Sequence, residues 1–178
     1  MISLNANDFE LFGLALQFAQ DRGAIDARWK ELQREAHPDK FAAQGAAAQR
    51  VAMQWSVRIN EAYQRLKDPL KRAAYLCELQ GVPVNAENNT AMPAEFLMQQ
   101  MEWREALEEA EGPEALDALD DQMARVRRDL LARLANLLDQ AHDYAEAVTQ
   151  VRALMFIERF ARDIEARRDQ LEHAGRRQ

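Results

Sequence analysis

Two long amphipathic segments, separated by a short stretch that contains a proline, constrain the fold of this chain most. In the first segment, four apolar residues recur at the i, i+4, i+7, i+11 spacing of one buried helix face: Ile25, Trp29, Leu32 and Ala36. Pro38 ends this helix, because a proline pushes the residue before it out of the α region. The second segment carries a matching apolar stripe: Trp55, Ile59, Ala62, Tyr63 and Leu66. The pattern predicts two antiparallel helices packed along these stripes.

Shorter helices are predicted on both sides of this hairpin. A helix capped by Asn7 or Asp8 is expected near the N-terminus, with three apolar residues on one side: Phe9, Phe12 and Leu16. Asp21 offers a cap for the first long helix. After the hairpin, Pro69 suits the first turn of another short helix, which Gly81 can close.

Residues 81–93 contain two prolines and three asparagines without any periodicity, so they are predicted to form a linker. This places one domain at residues 1–80 and a second at residues 94–174. The second domain contains three helical segments: 94–110, 113–141 and 143–174. Helices joined by such short turns are expected to pack as an antiparallel three-helix bundle.

The composition supports a purely helical fold. Of 178 residues only six are glycine and five are proline, while 48% are hydrophobic and 30% are charged. A chain of this length can bury a core, and this composition is typical of helical globular proteins rather than of disordered ones. We therefore predict an all-α fold.

The charge and the cysteine content exclude several kinds of partner and site. The net charge of −7 argues against general binding to nucleic acid or to an anionic membrane, although local basic patches remain possible. Cys77 is the single cysteine, which excludes an internal disulfide and favours a buried thiol in a reducing compartment. The sequence shows neither an apolar run that could span a bilayer nor a basic signal segment, so we expect a cytoplasmic protein.

The tripeptide His37-Pro38-Asp39, between the two long helices, admits several interpretations. As a catalytic pair, His37 would be a general base oriented by Asp39, but no nucleophile or phosphate-binding loop lies nearby in the sequence. A metal site would need more ligands than this stretch offers. Taken alone, the tripeptide indicates a turn that stops a helix, in which Pro38 fixes φ and Asp39 caps backbone donors.

The context of this tripeptide resembles the J-domain family over about the first 75 residues. Besides the tripeptide, the resemblance rests on Trp29, Leu32 and the block INEAYQRLKDPLKRAAY from Ile59 to Tyr75. In that family the tripeptide and the basic face of the preceding helix contact a DnaK-type ATPase and trigger its ATP hydrolysis. The resemblance implies that the chemistry belongs to the partner, so that this chain is not itself an enzyme and holds no metal or cofactor.

By this resemblance, seven residues are expected to bind the ATPase: His37, Pro38, Asp39, Arg28, Lys30, Arg34 and Lys40. The tripeptide would be essential, and the four cations would form an electrostatic rim for an acidic partner surface. Each cation could equally belong to a solvated helix face, because three acids are interspersed among them: Asp26, Glu31 and Glu35.

The helix predicted at residues 94–110 carries apolar residues on two nearly opposite faces. At about 100° per residue, one stripe suits the bundle core: Phe96, Trp103, Leu107 and Ala110. Leu97, Met98 and Met101 fall almost opposite, and this second face continues into four glutamates: Glu102, Glu105, Glu108 and Glu109. An apolar patch that faces solvent beside carboxylates is a candidate binding site.

The last helix also shows two apolar faces at the same period. One consists of Tyr144, Val148, Val151 and Met155, and the other of Ile157, Phe160, Ile164 and Leu171. Phe156 falls between them. Either this helix is buried on different sides along its length, or some of these residues are exposed for binding.

Over nearly the whole chain, the sequence resembles the HscB family, the J-domain co-chaperones of bacterial iron–sulfur cluster assembly. The similar segments are LQREAHPDKF, RINEAYQRLKDPLKRAAYL, FLMQQMEWREALEE and VRALMFIERF. The resemblance implies an L-shaped arrangement of the two domains, a bundle that binds the scaffold protein IscU, and a J-domain that engages the DnaK-class ATPase HscA. The positions that match the scaffold-binding surface are Leu97, Met98, Met101, Glu102, Glu105, Glu109 and Phe156.

The resemblance therefore predicts a co-chaperone that brings the scaffold to the ATPase, stimulates ATP hydrolysis and assists the maturation of iron–sulfur proteins. Two alternatives remain open. The chain could be a J-domain protein for another client, with the acidic patch binding a different basic partner. It could also be a hydrolase that uses His37 and Asp39, which predicts turnover by the isolated protein.

Overall fold

The computed structural model describes residues 3–85 and 91–176, and every regular element in these residues is helical. Seven α-helices lie within them: α1 (Asp8–Phe12), α2 (Arg22–Glu35), α3 (Ala46–Lys67), α4 (Pro69–Leu79), α5 (Ala94–Glu109), α6 (Pro113–Asn136) and α7 (Tyr144–Gly175). A 3₁₀ helix (Pro38–Gln44) joins α2 to α3, and a π-helical turn (Leu137–Ala141) follows α6. The all-α prediction is confirmed.

The chain divides into two compact units, Met1–Gln80 and Gly81–Gln178. The first contains α1 to α4 and the second contains α5 to α7. The predicted linker, residues 81–93, falls in the second unit, and its residues 86–90 lie outside the described part of the chain. Near the start of this stretch, Arg152 of α7 donates hydrogen bonds from Nε (3.0 Å) and Nη2 (2.6 Å) to the carbonyl oxygen of Val84. Val84 is therefore held against α7.

Short polar signals and prolines set most of the helix boundaries. Of the two cap candidates for α1, Asn7 is the one used, and it forms a reciprocal capping box with Glu10. The predicted cap at Asp21 is confirmed, because its side chain accepts the N–H of Gly23 at 2.9 Å. Asp68 caps α4 in the same way, with the predicted proline in the first turn. Local chemistry is therefore sufficient to place these ends.

Helix α1 is shorter than its apolar pattern suggested. Gly13 adopts a left-handed φ of 63° directly after Phe12, which ends the helix. Phe9 and Phe12 are buried as predicted, whereas Leu16 lies beyond the helix and is 52% exposed. The placement of Leu16 on the buried face was therefore wrong, because the glycine interrupts the period.

Helices α2 and α3 form the predicted antiparallel hairpin. Leu32, Ile59 and Leu66 lie in its core. Trp29 stacks on Tyr63 with ring centroids 4.6 Å apart, and its Nε1–H donates to Asn60 Oδ1 at 2.9 Å. These contacts fix the register of the two helices by packing and by a directed hydrogen bond.

A buried carboxylate ties α1 to the rest of the first unit. Asp8 is fully buried, and its oxygens lie 2.8 Å from Arg58 Nη1 and 2.6 Å from Arg65 Nε. Its backbone N–H donates to the hydroxyl of Tyr75 at 3.0 Å. The hydrogen bond with Asp8 also raises the pKa of Arg65 above its ordinary value. This network connects α1, α3 and α4.

We expect Asp8→Asn to lower the free energy of unfolding by ~3 kcal/mol, because it leaves two arginines without their buried counter-charge. Arg58 is the more affected of the two, since its side chain is only 17% exposed. Urea denaturation followed by circular dichroism measures the change. Asp26→Asn is the control, because this residue forms an exposed ion pair with Arg22 and its loss is expected to cost much less stability than the loss of the buried carboxylate. Equal losses for the two variants would contradict the structural role of Asp8.

The second unit resolves the ambiguity in the last helix. Helix α7 is buried on different sides along its length, and its buried residues include Val148, Val151, Leu154, Phe156, Ile157, Phe160 and Ile164. Leu116, Leu119, Leu130 and Leu134 of α6 supply much of the facing core. The first of the two options raised by the sequence is therefore the observed one.

Burial raises the pKa of the Cys77 thiol to about 11, and this residue is completely buried in α4. The thiolate is the reactive form, so Cys77 is expected to react with a disulfide reagent at about pH 8 only after unfolding. The rate of colour release by Ellman's reagent, with and without denaturant, measures this. A Cys77→Ala, Leu79→Cys double variant is the control, because position 79 lies on the same helix and is 38% exposed. Fast reaction of native Cys77 would contradict its burial.

No helix in the described ranges is both long and apolar enough to cross a membrane. Nor do these ranges contain a group of three or more His, Cys, Asp or Glu side chains placed to hold a metal ion.

Candidate functional site

The His37-Pro38-Asp39 tripeptide lies at the end of the α2–α3 hairpin, where α2 gives way to the 3₁₀ helix. His37 has an extended backbone, with φ −62° and ψ 128°, which is the conformation that a residue before proline favours. Its Nδ1 accepts the backbone N–H of Asp39 at 3.3 Å and lies 3.6 Å from Asp39 Oδ2. The capping group of this turn is therefore the imidazole, whereas the sequence had suggested Asp39.

Both polar side chains of the tripeptide point outward. The His37 side chain is 58% exposed and that of Asp39 is 89% exposed. General acid–base chemistry gains from a site that excludes water, which these exposed groups do not provide. The arrangement is suited to offering hydrogen-bonding groups and one negative charge to another protein.

Contacts between α2 and α3 hold the base of this turn. Ser56 Oγ donates to the carbonyl of Ala36 at 3.4 Å, and Gln33 Nε2 donates to the carbonyl of Ser56 at 3.2 Å. Gln33 also donates to Asn60 Oδ1 at 2.7 Å. Because the hairpin is fixed at its tip, the turn can bind a partner with little ordering cost.

The structure separates the four predicted rim cations into two groups. Lys30 and Arg34 are exposed and lie one turn apart on α2, opposite the buried Leu32. Lys40 is exposed within the 3₁₀ helix. Arg28 lies elsewhere: its Nη1 is 2.7 Å from Glu31 Oε2 and its side chain is only 29% exposed.

Arg28 lines an apolar groove of about 560 Å³ between α2, the 3₁₀ helix and α3. The groove also contacts Leu11 of α1, so it lies on the core side of the hairpin. The structure therefore does not bring Arg28 together with Lys30 and Arg34 on one surface.

The acids interspersed among these cations are mostly engaged elsewhere. Asp26 accepts hydrogen bonds from Arg22 and from the hydroxyl of Tyr63, and these two bonds lower the pKa of its carboxyl. Within residues 3–85 and 91–176, no carboxylate lies at ion-pair distance from Lys30 or Arg34. Both cations are therefore available to an acidic partner.

The exposed apolar face predicted on α5 is present. Leu97, Met98 and Met101 are 42%, 64% and 70% exposed, whereas Trp103 on the opposite face is 3% exposed. We call these three exposed residues the α5 patch. Single exposed apolar residues are common, but three neighbours on one helix face form a surface that favours a partner.

Three glutamates beside the α5 patch are exposed: Glu102, Glu105 and Glu109. In the described part of the chain no cation lies at ion-pair distance from them. Their charge can steer a basic partner towards the patch and restrict its orientation.

Phe156 does not belong to the exposed patch. It is 8% exposed and packs beneath α5 in an aromatic cluster, with ring centroids 5.8 Å from Phe96, 6.1 Å from Trp103 and 5.7 Å from Phe160. The guanidinium carbon of Arg104 lies 5.5 Å from the centroid of the Phe156 ring. A contribution of Phe156 to partner binding stays a prediction. The sequence did not indicate the role of Arg104, because a contact between α5 and α7 leaves no local pattern.

Comparisons with known proteins agree with these features. Residues 92–165 match the family model described as the HSCB C-terminal oligomerisation domain. The chain is 53% identical over 176 residues to the co-chaperone protein HscB homolog of Burkholderia thailandensis, covering 97% of this chain and 100% of the relative. The homolog from Burkholderia multivorans is 53% identical over 175 residues, covering 97% and 99%.

Solved structures give the same result. Chaperone HscB from Vibrio cholerae superimposes with a TM-score of 0.80 at 40% identity, covering 93% of this chain and 99% of that one. Human co-chaperone HscB has a TM-score of 0.88 at 23% identity, covering 94% and 84%, which supports the fold alone. On the strength of the full-length identity, this chain belongs to the HscB co-chaperone family.

Proposed function

We propose that this co-chaperone stimulates a DnaK-class ATPase of the HscA type and delivers to it an iron–sulfur scaffold of the IscU type. The observation that carries the proposal is the presence of two exposed surfaces with different chemistry, each on its own helical unit. One is the polar turn with His37 and Asp39, and the other is the α5 patch with its flanking glutamates.

The polar turn supports the ATPase-directed part of the proposal. Asp39 offers a carboxylate that is almost fully hydrated in the free protein, and Lys30 and Arg34 offer free positive charge on the neighbouring helix. A partner can satisfy all three by charge-assisted hydrogen bonds without rearranging the hairpin. The hydrolytic reaction itself takes place in the ATPase, and this chain acts by binding.

The α5 patch supports the scaffold-directed part. Two methionines and a leucine present adaptable apolar side chains, and methionine in particular can fill an irregular partner surface. An apolar centre with charged groups at its edge has the arrangement of an interface core and its polar rim. The negative rim fits a scaffold surface that is basic around an apolar contact.

Binding both partners at once would raise the effective concentration of scaffold at the ATPase. Stimulated hydrolysis would then change the conformation of the chaperone while it holds its client. We infer that this change assists release or transfer of the cluster from the scaffold, and hence the maturation of iron–sulfur proteins. These partners would place the activity in the cytoplasm.

A two-part experiment tests the proposal. Phosphate release by a purified HscA-type ATPase is measured with scaffold alone, with this protein alone and with both, and calorimetry measures the binding of this protein to scaffold. We expect stimulation by this protein, a larger stimulation with both, and saturable scaffold binding. Stimulation without scaffold binding would indicate another client, and ATP-independent turnover by this protein alone would favour the hydrolase alternative.

A further inference from the structure

Helix α3 exposes two large apolar side chains on the face opposite the core of the first unit. Met53 is 54% exposed and Val57 is 50% exposed, and they lie one helical turn apart. Neighbours at i and i+4 share one face of a helix, so the two side chains form a single apolar spot. The buried residues of α3, including Ala52, Ile59 and Leu66, lie on the other side.

Hydrogen bonds between α2 and α3 show which surface this spot belongs to. Trp29 and Gln33 of α2 both donate to Asn60, and Ser56 donates to the carbonyl of Ala36. On the side of this contact line away from the core, α2 presents Lys30 and Arg34, and α3 presents Met53 and Val57. The apolar spot and the free cations therefore share the outer face of the hairpin.

A third cation completes this surface. Arg50 is exposed and precedes Met53 by three residues and Val57 by seven, which places it on the same face of α3. Among the described residues, no carboxylate is at ion-pair distance from Arg50. Glu61, one turn beyond Val57, marks the end of the positively charged part.

We propose that Met53 and Val57 form an apolar docking contact for the partner ATPase, inserted between the cations Lys30, Arg34 and Arg50. The inference rests on the proposed function, and it specifies the chemistry of the partner: an apolar recess surrounded by carboxylates. Charge complementarity and continuity with the His37 turn select this occupant, because the same face leads directly to the end of α2 from which the turn begins.

The role proposed for Met53 and Val57 differs from that of the His37-Pro38-Asp39 tripeptide. Met53 and Val57 lie on α3, away from the turn, so they contribute affinity, whereas the trigger for hydrolysis remains with Asp39. Removal of the apolar contact should therefore raise the concentration of co-chaperone that gives half-maximal stimulation. The maximal ATPase rate at saturation should stay unchanged.

The test is steady-state ATPase stimulation by the full chain over a range of concentrations. The Met53→Gln, Val57→Thr double variant keeps the side-chain size but adds polar groups, and we expect its half-maximal concentration to rise about 10-fold. Val51→Thr is the matched control, because Val51 is also 50% exposed on α3 but lines the groove on the core side. We expect less than about a 2-fold change for it.

Opposite charges at one position test the acidic character of the partner. We expect Val57→Asp to raise the half-maximal concentration by at least about 10-fold and Val57→Lys to change it by less than about 3-fold. Equal effects of Asp and Lys, a double variant that behaves like the wild type, or an equally large effect of Val51→Thr would overturn the inference. In each of these three outcomes the wild-type protein still stimulates the ATPase. Absence of wild-type stimulation would instead refute the proposed function itself.

Discussion

The Asp39→Asn variant is expected to lose stimulation of the partner ATPase by at least about 30-fold, which corresponds to ~2 kcal/mol of interaction with a charged group. The carboxylate of Asp39 is 89% exposed, so its charge contributes little to the stability of the free protein. A partner that binds it must replace its water with hydrogen-bond donors, and an amide cannot satisfy donors that are arranged for two carboxylate oxygens. Phosphate release at saturating co-chaperone measures the effect.

Asp39 is a cleaner position for this test than His37. The imidazole of His37 accepts the N–H of Asp39, so its replacement also disturbs the turn, whereas the Asp39 carboxylate is 89% exposed and lies 3.6 Å from His37 Nδ1. We therefore expect Asp39→Asn to change the free energy of unfolding by less than about 0.5 kcal/mol.

Glu35→Gln is the matched control for Asp39→Asn. It removes one exposed carboxylate from the end of the same hairpin, but Glu35 lines the groove on the core side. Its stimulation should stay within about 2-fold of the wild type. If Asp39→Asn stimulates normally, or if both variants lose activity equally, the turn does not have the role proposed for it.

The helices of this fold could be predicted from the sequence because their signals are local. The caps at Asn7, Asp21 and Asp68 each act within three residues of the helix that they begin. The period of apolar residues in α3 and α5 is likewise contained within a single helix. For this reason the two faces of α5 could be distinguished, and its exposed patch predicted, from the sequence alone.

Features that depend on contacts between distant residues could not be predicted. Asp8 looked like a helix cap, and only the approach of Arg58 and Arg65 from α3 makes it a buried ionic centre. Phe156 fell between two apolar faces of α7, and the packing of α5 above it decides its burial.

The two groups of rim cations are distinguished in part by the sequence. At about 100° per residue, Arg28 falls on the side of Leu32, whereas Arg34 falls on the side away from the apolar stripe. Helix α1 and the 3₁₀ helix cover the side where Arg28 lies and leave the side of Arg34 open. Thus the apolar period indicates which cations of α2 face away from the core, and the tertiary fold determines what covers the others.

The Leu97→Ala, Met98→Ala, Met101→Ala triple variant is expected to weaken scaffold binding by at least about 100-fold, or ~2.7 kcal/mol, because it removes the apolar centre of the α5 patch. Alanine is the strongest helix former, so α5 should be retained. Since the three side chains are 42% to 70% exposed, the free energy of unfolding should change by less than about 1 kcal/mol. Calorimetric titration with scaffold and urea denaturation measure the two quantities.

Two further variants separate binding from stability. Leu16→Ala removes a leucine of comparable exposure from the first unit, and its scaffold affinity should match that of the wild type. Phe156→Ala should instead lower the free energy of unfolding by about 3 kcal/mol or more, because it leaves a cavity among Phe96, Trp103 and Phe160. The α5 patch is a binding surface only if the triple variant loses affinity and keeps its stability. A triple variant that unfolds like Phe156→Ala would show that these side chains serve the bundle itself, and one that binds normally would place the client elsewhere.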